Sequence, residues 1–187
     1  MNKQTTALTT AQYNAIIRTM KQGREAFRPN DRIATALVLE GNLGIRIGDI
    51  VKLKPCDIVS DGGRWRLAIR EQKTGKARFF TVPAVIYQYI EDYRKRHNVG
   101  LNEPLFPVTT RAVQKHLSAV CRYLGYSDIG THSFRKWSAT EIYKDSGYDI
   151  ALVQRLLQHS SAAITQRYIG MEPQRVEAAI AGHANLI

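Results

Sequence analysis

The sequence predicts a mainly α-helical fold with one small antiparallel β-sheet. Apolar residues recur at the helical spacing i, i+3, i+4 and i+7 over most of the chain, as in Tyr13, Ile16, Ile17 and Met20. Between residues 65 and 82 the pattern changes to short β-prone stretches around turn residues. Because the chain has 187 residues and 44% of them are hydrophobic, we predict one domain over residues 1–187.

Two helices are predicted at the start of the chain. Thr9 or Thr10 can cap the first helix, because a hydroxyl oxygen accepts hydrogen bonds from the free N–H groups of the first turn. Asn30 or Asp31 has the same position before the second helix. We expect this second helix to end at a break at Gly41.

A short helix and a β-hairpin follow. Residues 46–53 form the predicted third helix, which Pro55 ends. Apolar and basic residues then alternate from Trp65 to Ile69, and Phe79–Val82 is β-prone. The residues between these stretches, Lys73-Thr74-Gly75-Lys76, supply a turn, so we predict a hairpin with a basic tip.

Helices account for most of the remaining chain. The helical spacing returns after Pro83, and Thr109 or Thr110 caps a further helix. Two more helices are predicted at about residues 133–145 and 149–157. This order of elements supports the α-rich class with a single small sheet.

The charge of the chain indicates the kind of partner. A net charge of +11 creates a positive field that concentrates polyanions, so nucleic acid is the expected partner. The longest apolar run, Ile33–Leu39, is too short to span a bilayer, and no membrane partner is expected. Cys56 and Cys121 are far apart and lack zinc-like His spacing. We therefore expect neither a metal site nor a disulfide, and a cytoplasmic location.

Three local patterns contain residues suited to chemistry. The stretch LLQHSSAAITQRYIG holds His159 and Tyr168, nine residues apart. The stretch GIRIGD places Arg46 near the start of a helix. In THSFR, His132 and Arg135 lie three residues apart around a helix N-terminus, where both can face one anion. Each pattern is weak alone, because a single Tyr at helical spacing is usually an ordinary aromatic.

Each of these side chains also has an ordinary structural explanation. Arg46 can pair with Asp49, and Lys73 can be a solvated turn residue. His132 can cap its helix, and His159 can be a hydrogen-bonded polar group near a helix end. What favours a functional explanation is the conjunction of all these residue types in one order.

In chain order, these patterns and the hairpin lysine resemble the catalytic domain of the tyrosine recombinase (phage integrase) family. The resemblance rests on GIRIGD, on QKTGKAR in the hairpin, on HSFR, and on QHSS leading to RY. It covers nearly the whole chain. It implies a set of six catalytic residues: Arg46, Lys73, His132, Arg135, His159 and Tyr168.

The resemblance implies a site-specific DNA recombinase that cleaves and rejoins strands. Tyr168 would attack a DNA phosphodiester, become joined to the 3′ phosphate and free a 5′ hydroxyl. Arg46 and Arg135 would hold the non-bridging oxygens, because a planar, permanently charged guanidinium bonds two oxygens at once. His159 would donate a hydrogen bond to a phosphate oxygen. Neither a metal ion, nor ATP, nor any other cofactor is expected.

Two proton transfers need further groups. An unperturbed Tyr has a pKa of about 10, so a base must help to remove its proton, and His132 is the candidate. The departing 5′ oxygen needs a general acid, for which Lys73 fits, with Lys76 as its rival. Asp49 is expected to hold Arg46 and to take no part in the chemistry.

The expected partner is double-stranded DNA with specific recombination sites. The helix after Thr109 carries basic residues away from its apolar stripe, which we expect to contact DNA together with Lys76: Arg111, Lys115 and Arg122. The resemblance implies a homotetramer on DNA, with accessory proteins that bend DNA, and we expect a monomer without DNA. The C-terminal stretch 176–180 would dock on a neighbouring subunit or pack on its own domain.

Some features depart from the family pattern. Gln158 stands where a Gly usually precedes the second His, and Phe134 replaces the usual Leu. Lys136-Trp137 follow where a His or a small residue is more typical. Family members usually also carry an N-terminal helical domain that grips the DNA, and we expect that domain to be absent from this chain.

Two other functions fit part of the pattern. A type IB topoisomerase shares the nucleophile and the arginine chemistry but relaxes one duplex without joining two sites. A non-catalytic DNA-binding regulator is consistent with the charge and the helices, and it predicts no covalent adduct with DNA. The complete set of six residues favours the recombinase.

Overall fold

A computed structural model describes residues 5–170 and Gly182 of the chain. The described part contains eight α-helices and three β-strands. In chain order they are α1 (Thr10–Gln22), α2 (Asp31–Leu43), α3 (Ile47–Ile50), β1 (Ile58–Asp61), β2 (Arg64–Arg70), β3 (Ala77–Val82), α4 (Ala84–Arg96), α5 (Thr110–Tyr123), α6 (Thr131–Asp145), α7 (Ile150–Leu157) and α8 (Ala162–Ile169). The predicted fold class is therefore confirmed.

The chain divides into two compact units, one up to Ser138 and one from Ala139 onward. The boundary falls within α6. The first unit has an apolar core to which α1, α2, α5 and the sheet contribute. The second unit has its own smaller core, formed by Ala139, Tyr143, Val153, Leu157 and Ile169. No helix of the described residues is both long enough and apolar enough to cross a membrane.

The helix starts follow the predicted caps. Thr9 Oγ1 accepts a hydrogen bond from the N–H of Gln12 at 3.1 Å. Asn30 Oδ1 accepts one from the N–H of Ile33 at 2.9 Å, and Thr109 caps α5 in the same way. Each cap satisfies an N–H group that has no partner within its own helix, so these three boundaries are fixed by local sequence.

The predicted break at Gly41 is wrong. Helix α2 continues through this residue to Leu43 and ends at Gly44, which has a left-handed conformation. A Cβ at Gly41 would lie 3.1 Å from Tyr13 Cε2 and 3.2 Å from Trp137 Cζ3. The glycine therefore permits the close approach of two aromatic rings and does not end the helix. The predicted third helix is present but shorter, as α3.

The three strands form one antiparallel sheet in the order β1-β2-β3. The predicted hairpin is confirmed as β2 and β3, in which Leu67 pairs with Phe80. On its other side Leu67 pairs with Ile58 of β1. Strand β1 was not predicted, because only one of its four residues is buried and the alternation that indicates a strand is absent.

Candidate active site

Arg46 lies at the N-terminus of α3, where the chain leaves the buried Ile45 and turns into the helix. Its side chain is 20% exposed, and its Nη1 lies 2.6 Å from Oε2 of Glu71, at the end of β2. One side of the guanidinium is thus occupied by a carboxylate. The remaining N–H groups supply the geometry that a phosphate oxygen requires.

Glu71 is the centre of a cluster of arginines. Its carboxylate is 1% exposed and has Arg78 Nε at 3.7 Å and Arg135 Nη1 at 4.0 Å, in addition to Arg46. Burial alone would raise the pKa of Glu71, but hydrogen bonds from Thr74 and Arg46 and the nearby arginine charges lower it overall. Glu71 is therefore an ionised group that partly neutralises the charge of three arginines.

The hairpin is fastened to the start of α3. The N–H of Gln72 donates to Asp49 Oδ1 at 2.9 Å, and Gln72 Nε2 donates to the carbonyl of Gly48 at 2.6 Å. We expected Asp49 to hold Arg46, but the ion pair to Arg46 comes from Glu71. Asp49 holds the backbone of the hairpin instead, because its buried carboxylate points to the N–H of residue 72.

The turn of the hairpin carries both candidate general acids. Gly75 has a φ of 67°, and its N–H donates to the carbonyl of Glu71 at 2.8 Å. A left-handed residue closes the turn there, which glycine adopts without strain. Lys73 and Lys76 are both exposed at this tip. Lys73 makes no hydrogen bond to the described part of the chain.

His132 and Arg135 lie one turn apart at the start of α6. Arg135 is 2% exposed, whereas His132 keeps a large exposed surface. The surrounding protein still desolvates the imidazole, and this together with the charges of Arg135, Arg46 and Lys73 lowers the pKa of His132. His132 is therefore neutral at pH 7 and able to accept a proton. Arg46, Lys73 and Arg135 are thus close enough for their charges to act on His132.

A second buried carboxyl supports this cluster. Glu40 of α2 is 0% exposed, and its Oε1 accepts the N–H of Ile47, the first residue of α3, at 3.0 Å. Burial raises the pKa of Glu40 well above its ordinary value, although this hydrogen bond and the charge of Arg135 act in the opposite direction. Glu40 thus fixes the start of α3, next to Arg46.

The second unit brings together His159 and Tyr168. Their rings are 5.2 Å apart between centroids, with an edge-to-face angle of 78°. His159 Nδ1 lies 3.1 Å from Thr165 Oγ1, and the Thr165 hydroxyl donates to the carbonyl of Ser161 at 3.3 Å. Which of these two atoms donates depends on the tautomer of the His159 ring. Ser161 also caps α8, the helix that carries Tyr168.

The departures from the family pattern have structural explanations. Phe134 is 0% exposed in the first core, and Trp137 stacks on Tyr13 with ring centroids 4.2 Å apart. Lys136 Nζ donates to the carbonyl of Thr5 at 2.5 Å and so ties the N-terminal segment to α6. Gln158 ends α7 with a left-handed φ of 56°, a conformation that favours glycine. Phe134, Trp137 and Lys136 thus contribute to the packing of the first unit, whereas glycine would adopt the backbone conformation of Gln158 more easily.

The basic residues predicted to contact DNA lie on the exposed surface. Arg111 and Lys115 are exposed one turn apart on α5, and Arg122 is exposed two turns later. The opposite side of α5 buries Val113 and Leu117. Because the basic side chains avoid the core, their charges are available to a polyanion.

The structure places four of the six predicted residues in the first unit and two in the second. Sequence patterns missed two members of the arginine cluster, Glu71 and Arg78, both almost fully buried. A signal for Glu71 was present, since it is the only acidic residue between Asp61 and Glu91. An isolated acid in a basic hairpin is suited to pair with several cations.

Comparison with known proteins identifies the family and the fold. The profile described as "Phage integrase family" matches residues 6–175. The probable integrase/recombinase YoeC of Bacillus subtilis (strain 168) is 30% identical over 143 residues, which are 74% of this chain and 77% of YoeC. Tyrosine recombinase XerC of Rhizobium meliloti (strain 1021) is 29% identical over 154 residues, which are 78% of this chain. The matched region is 47% of that XerC, about half of its length.

Solved structures with this fold include recombinases and integrases. The XerH site-specific recombinase, in a post-cleavage complex with palindromic difH substrate, has a TM-score of 0.74 at 19% identity and covers 96% of this chain and 53% of that one. The catalytic domain of bacteriophage HP1 integrase has a TM-score of 0.66 at 16% identity and covers 96% of both chains. The fold is that of tyrosine recombinase catalytic domains. The chain belongs to the phage integrase family of tyrosine recombinases.

Proposed function

We propose that this protein cleaves and rejoins specific sites in double-stranded DNA through a covalent 3′-phosphotyrosyl intermediate. The observation that carries the proposal is the convergence of Arg46, Lys73, His132 and Arg135 on one charged cluster from three separate stretches of chain. A cluster of this kind stabilises the charge of a phosphoryl transition state without protein-bound metal or ATP. The structures of XerH bound to its difH substrate and of λ integrase bound to a core site support DNA as the partner.

In the proposed cleavage step, Tyr168 Oη bonds to the scissile phosphorus and the bond from phosphorus to the 5′ oxygen breaks. His132 takes the phenolic proton, and Lys73 gives a proton to the leaving 5′ oxygen. Arg46 and Arg135 bind the non-bridging oxygens. Rejoining is the reverse reaction, in which a 5′ hydroxyl attacks the phosphotyrosyl bond. The energy of the broken diester is thereby conserved.

His159 is the sixth residue of the scheme. We propose that it donates a hydrogen bond to a phosphate oxygen, while its Nδ1 stays in contact with Thr165 Oγ1 at 3.1 Å.

The assembly implied for this family is part of the same proposal: a homotetramer on two DNA sites, with accessory proteins that bend DNA. The C-terminal stretch 176–180, expected to dock on a neighbour, lies outside the described residues. The basic side chains of α5 supply phosphate contacts, so DNA affinity falls steeply as salt is added.

The test uses a randomised library of nicked duplexes, so that the experiment itself identifies the target sequence. The protein is incubated with the library and a chelator, and complexes that resist denaturant are recovered and sequenced. Wild-type protein and Tyr123→Phe, an exposed tyrosine outside the site, are expected to yield adducts, and Tyr168→Phe none while still binding DNA. Adducts from Tyr168→Phe, or none from wild type, contradict the proposal.

The same DNA distinguishes the alternatives. A topoisomerase relaxes supercoiled plasmid that carries the selected sequence without joining two sites, whereas a recombinase joins them. A non-catalytic regulator binds DNA of the library but yields no adduct with or without chelator, so no sequence is recovered.

A further inference from the structure

The hairpin turn has an exposed lysine on a firmly held backbone. Lys73 has no hydrogen bond of its own within the described part of the chain, so its reach depends on where the turn places its Cα. The backbone N–H of Glu71 donates to the carbonyl of Lys76 at 2.9 Å, and Gly75 closes the turn on Glu71. A lysine side chain is long and flexible, so only the turn restricts its position.

The turn is also fastened through a side chain. Thr74 Oγ1, next to Lys73, donates to Glu71 Oε2 at 2.7 Å, and the same oxygen accepts from Arg46 Nη1 at 2.6 Å. One buried carboxylate oxygen thus accepts hydrogen bonds from both the hairpin turn and the arginine proposed to bind the phosphate. A hydrogen bond to an ionised, buried acceptor is stronger than one between neutral groups.

We propose that Glu71 is a positioning residue that sets the reach of Lys73 by linking its turn, through Thr74, to Arg46. The inference rests on the proposed function, in which Lys73 protonates the leaving oxygen. Glu71 does not touch the DNA. It fixes the distance between the group that binds the phosphate and the group that protonates the 5′ oxygen.

The link has a specific consequence for one step of the reaction. Without the Thr74 hydroxyl, the turn samples other conformations and Lys73 is less often in reach of the 5′ oxygen. A misplaced catalytic group slows its own step strongly, and a loss of roughly tenfold is expected here. The arginine clamp, formed by Arg46 and Arg135, is expected to remain, because Arg46 keeps its own hydrogen bond to Glu71.

A change of leaving group separates the two effects. When sulfur replaces the bridging 5′ oxygen of the scissile phosphate, cleavage releases a thiolate. A thiol has a pKa of about 8.5, far below that of an alcohol, so its thiolate leaves without a general acid. Defects in placing the acid disappear on this substrate, and defects in the phosphate clamp persist.

The experiment measures single-turnover cleavage of nicked duplexes with 5′ oxygen or 5′ sulfur, using the sequence selected from the library. Thr74→Val keeps the shape of the side chain and removes its hydroxyl, Thr74→Ser restores the hydroxyl, and Thr81→Val is the matched control at an exposed position in β3. We expect Thr74→Val to cleave the oxygen duplex roughly tenfold more slowly than Thr81→Val and the sulfur duplex at the same rate. Thr74→Ser should match wild type on both.

Equal slowing of Thr74→Val on both duplexes, or no slowing on the oxygen duplex, overturns the inference. Lys73→Ala tests the proposed function separately. If sulfur does not relieve the Lys73→Ala defect, Lys73 is not the acid and the proposed mechanism fails. If the 5′-sulfur duplex restores the cleavage rate of Lys73→Ala but not that of Thr74→Val, only the positioning role of Glu71 fails. Glu71→Gln removes the negative charge that three arginines share. The 5′-sulfur duplex should therefore restore only part of its cleavage rate.

Discussion

The cationic cluster of the first unit and the His159–Tyr168 pair of the second unit are built in different ways. Arg46 and Glu71 are 25 residues apart in sequence, and Gln72 and Asp49 are 23 apart. By contrast, His159 contacts Thr165 only six residues later, and α8 is capped by its own Ser161. The proposed phosphate-binding cluster therefore depends on long-range folding, and the proposed nucleophile, Tyr168, depends on a short local segment.

This difference predicts that substitutions in the two regions have different effects. In the cluster, the side chains are buried and held by contacts from distant parts of the chain, so stability and catalysis are expected to fall together. In the local segment, side chains can be changed at little cost to the remainder of the fold. The predictions below test this contrast.

The largest effect is expected for Arg135→Ala. Arg135 is 2% exposed, so its truncation leaves a cavity and costs about 3 kcal/mol in the free energy of unfolding. Loss of an oxyanion-stabilising cation also slows cleavage by roughly a thousandfold. Urea unfolding and single-turnover adduct formation measure the two effects. Lys95→Ala, at an exposed position of α4 outside the proposed site, should change neither by a comparable amount.

A smaller effect is expected at Glu40. Its Oε2 has no hydrogen-bond partner in the described part of the chain, while Oε1 accepts from Ile47. Glu40→Gln keeps the acceptor and should be at least as stable as wild type at pH 7. Glu40→Leu leaves the N–H of Ile47 unsatisfied and should be less stable than Glu40→Gln by about 2 kcal/mol. Equal stabilities would contradict the role of Glu40 in fixing α3.

The raised pKa of Glu40 adds a dependence on pH. The folded protein keeps this proton at pH values where the unfolded chain, with a pKa of about 4.3, has released it. Stability from this group is therefore present below that pH and lost as pH rises through the folded-state pKa. Urea unfolding across pH should show a smaller decline for Glu40→Gln than for wild type.

In the second unit, Gln158→Gly should raise the free energy of unfolding by about 1 kcal/mol. Gln158 has a left-handed φ, which costs energy for any residue with a Cβ and little for glycine. Thermal or urea unfolding measures the gain. Lower stability of this variant would mean that the Gln side chain contributes more than its backbone strain costs.

The smallest effect concerns the titration of His132. Its lowered pKa means that the unfolded chain binds a proton below about pH 6.5 while the folded protein does not. Stability from this source is therefore lost as pH falls below that value, and His132→Gln should remove this part of the dependence. Cleavage by wild type should hold from pH 7.5 to 6.5, because the base stays neutral. If the cleavage rate of wild type decreased as the pH was lowered from 7.5 to 6.5, His132 would not be the base.

Much of the fold followed from local patterns. Thr9, Asn30 and Thr109 cap their helices as predicted, because a capping bond depends on residues three positions apart. Gly41 was misjudged because glycine also allows close packing, and its neighbours Tyr13 and Trp137 come from distant parts of the chain. Strand β1 was missed because its pairing with β2, and not its own pattern, makes it a strand.

The six candidate residues could be proposed from the sequence because each lies in a short pattern. Their partners were not, because those contacts join residues that no spacing rule connects. Asp49 was expected to bind Arg46 on the ground that both lie near the start of one helix. Instead Glu71 binds Arg46, and Asp49 binds the backbone of Gln72.

The sequence by itself determined the fold class, the family and the residue types available for phosphoryl transfer, since these depend on composition, periodicity and local motifs. Only the tertiary structure decided which carboxylate balances the arginines and which bonds hold the lysine turn. Burial excludes water from Glu71 and Glu40, and the charge of a buried group is governed by neighbours brought close through folding.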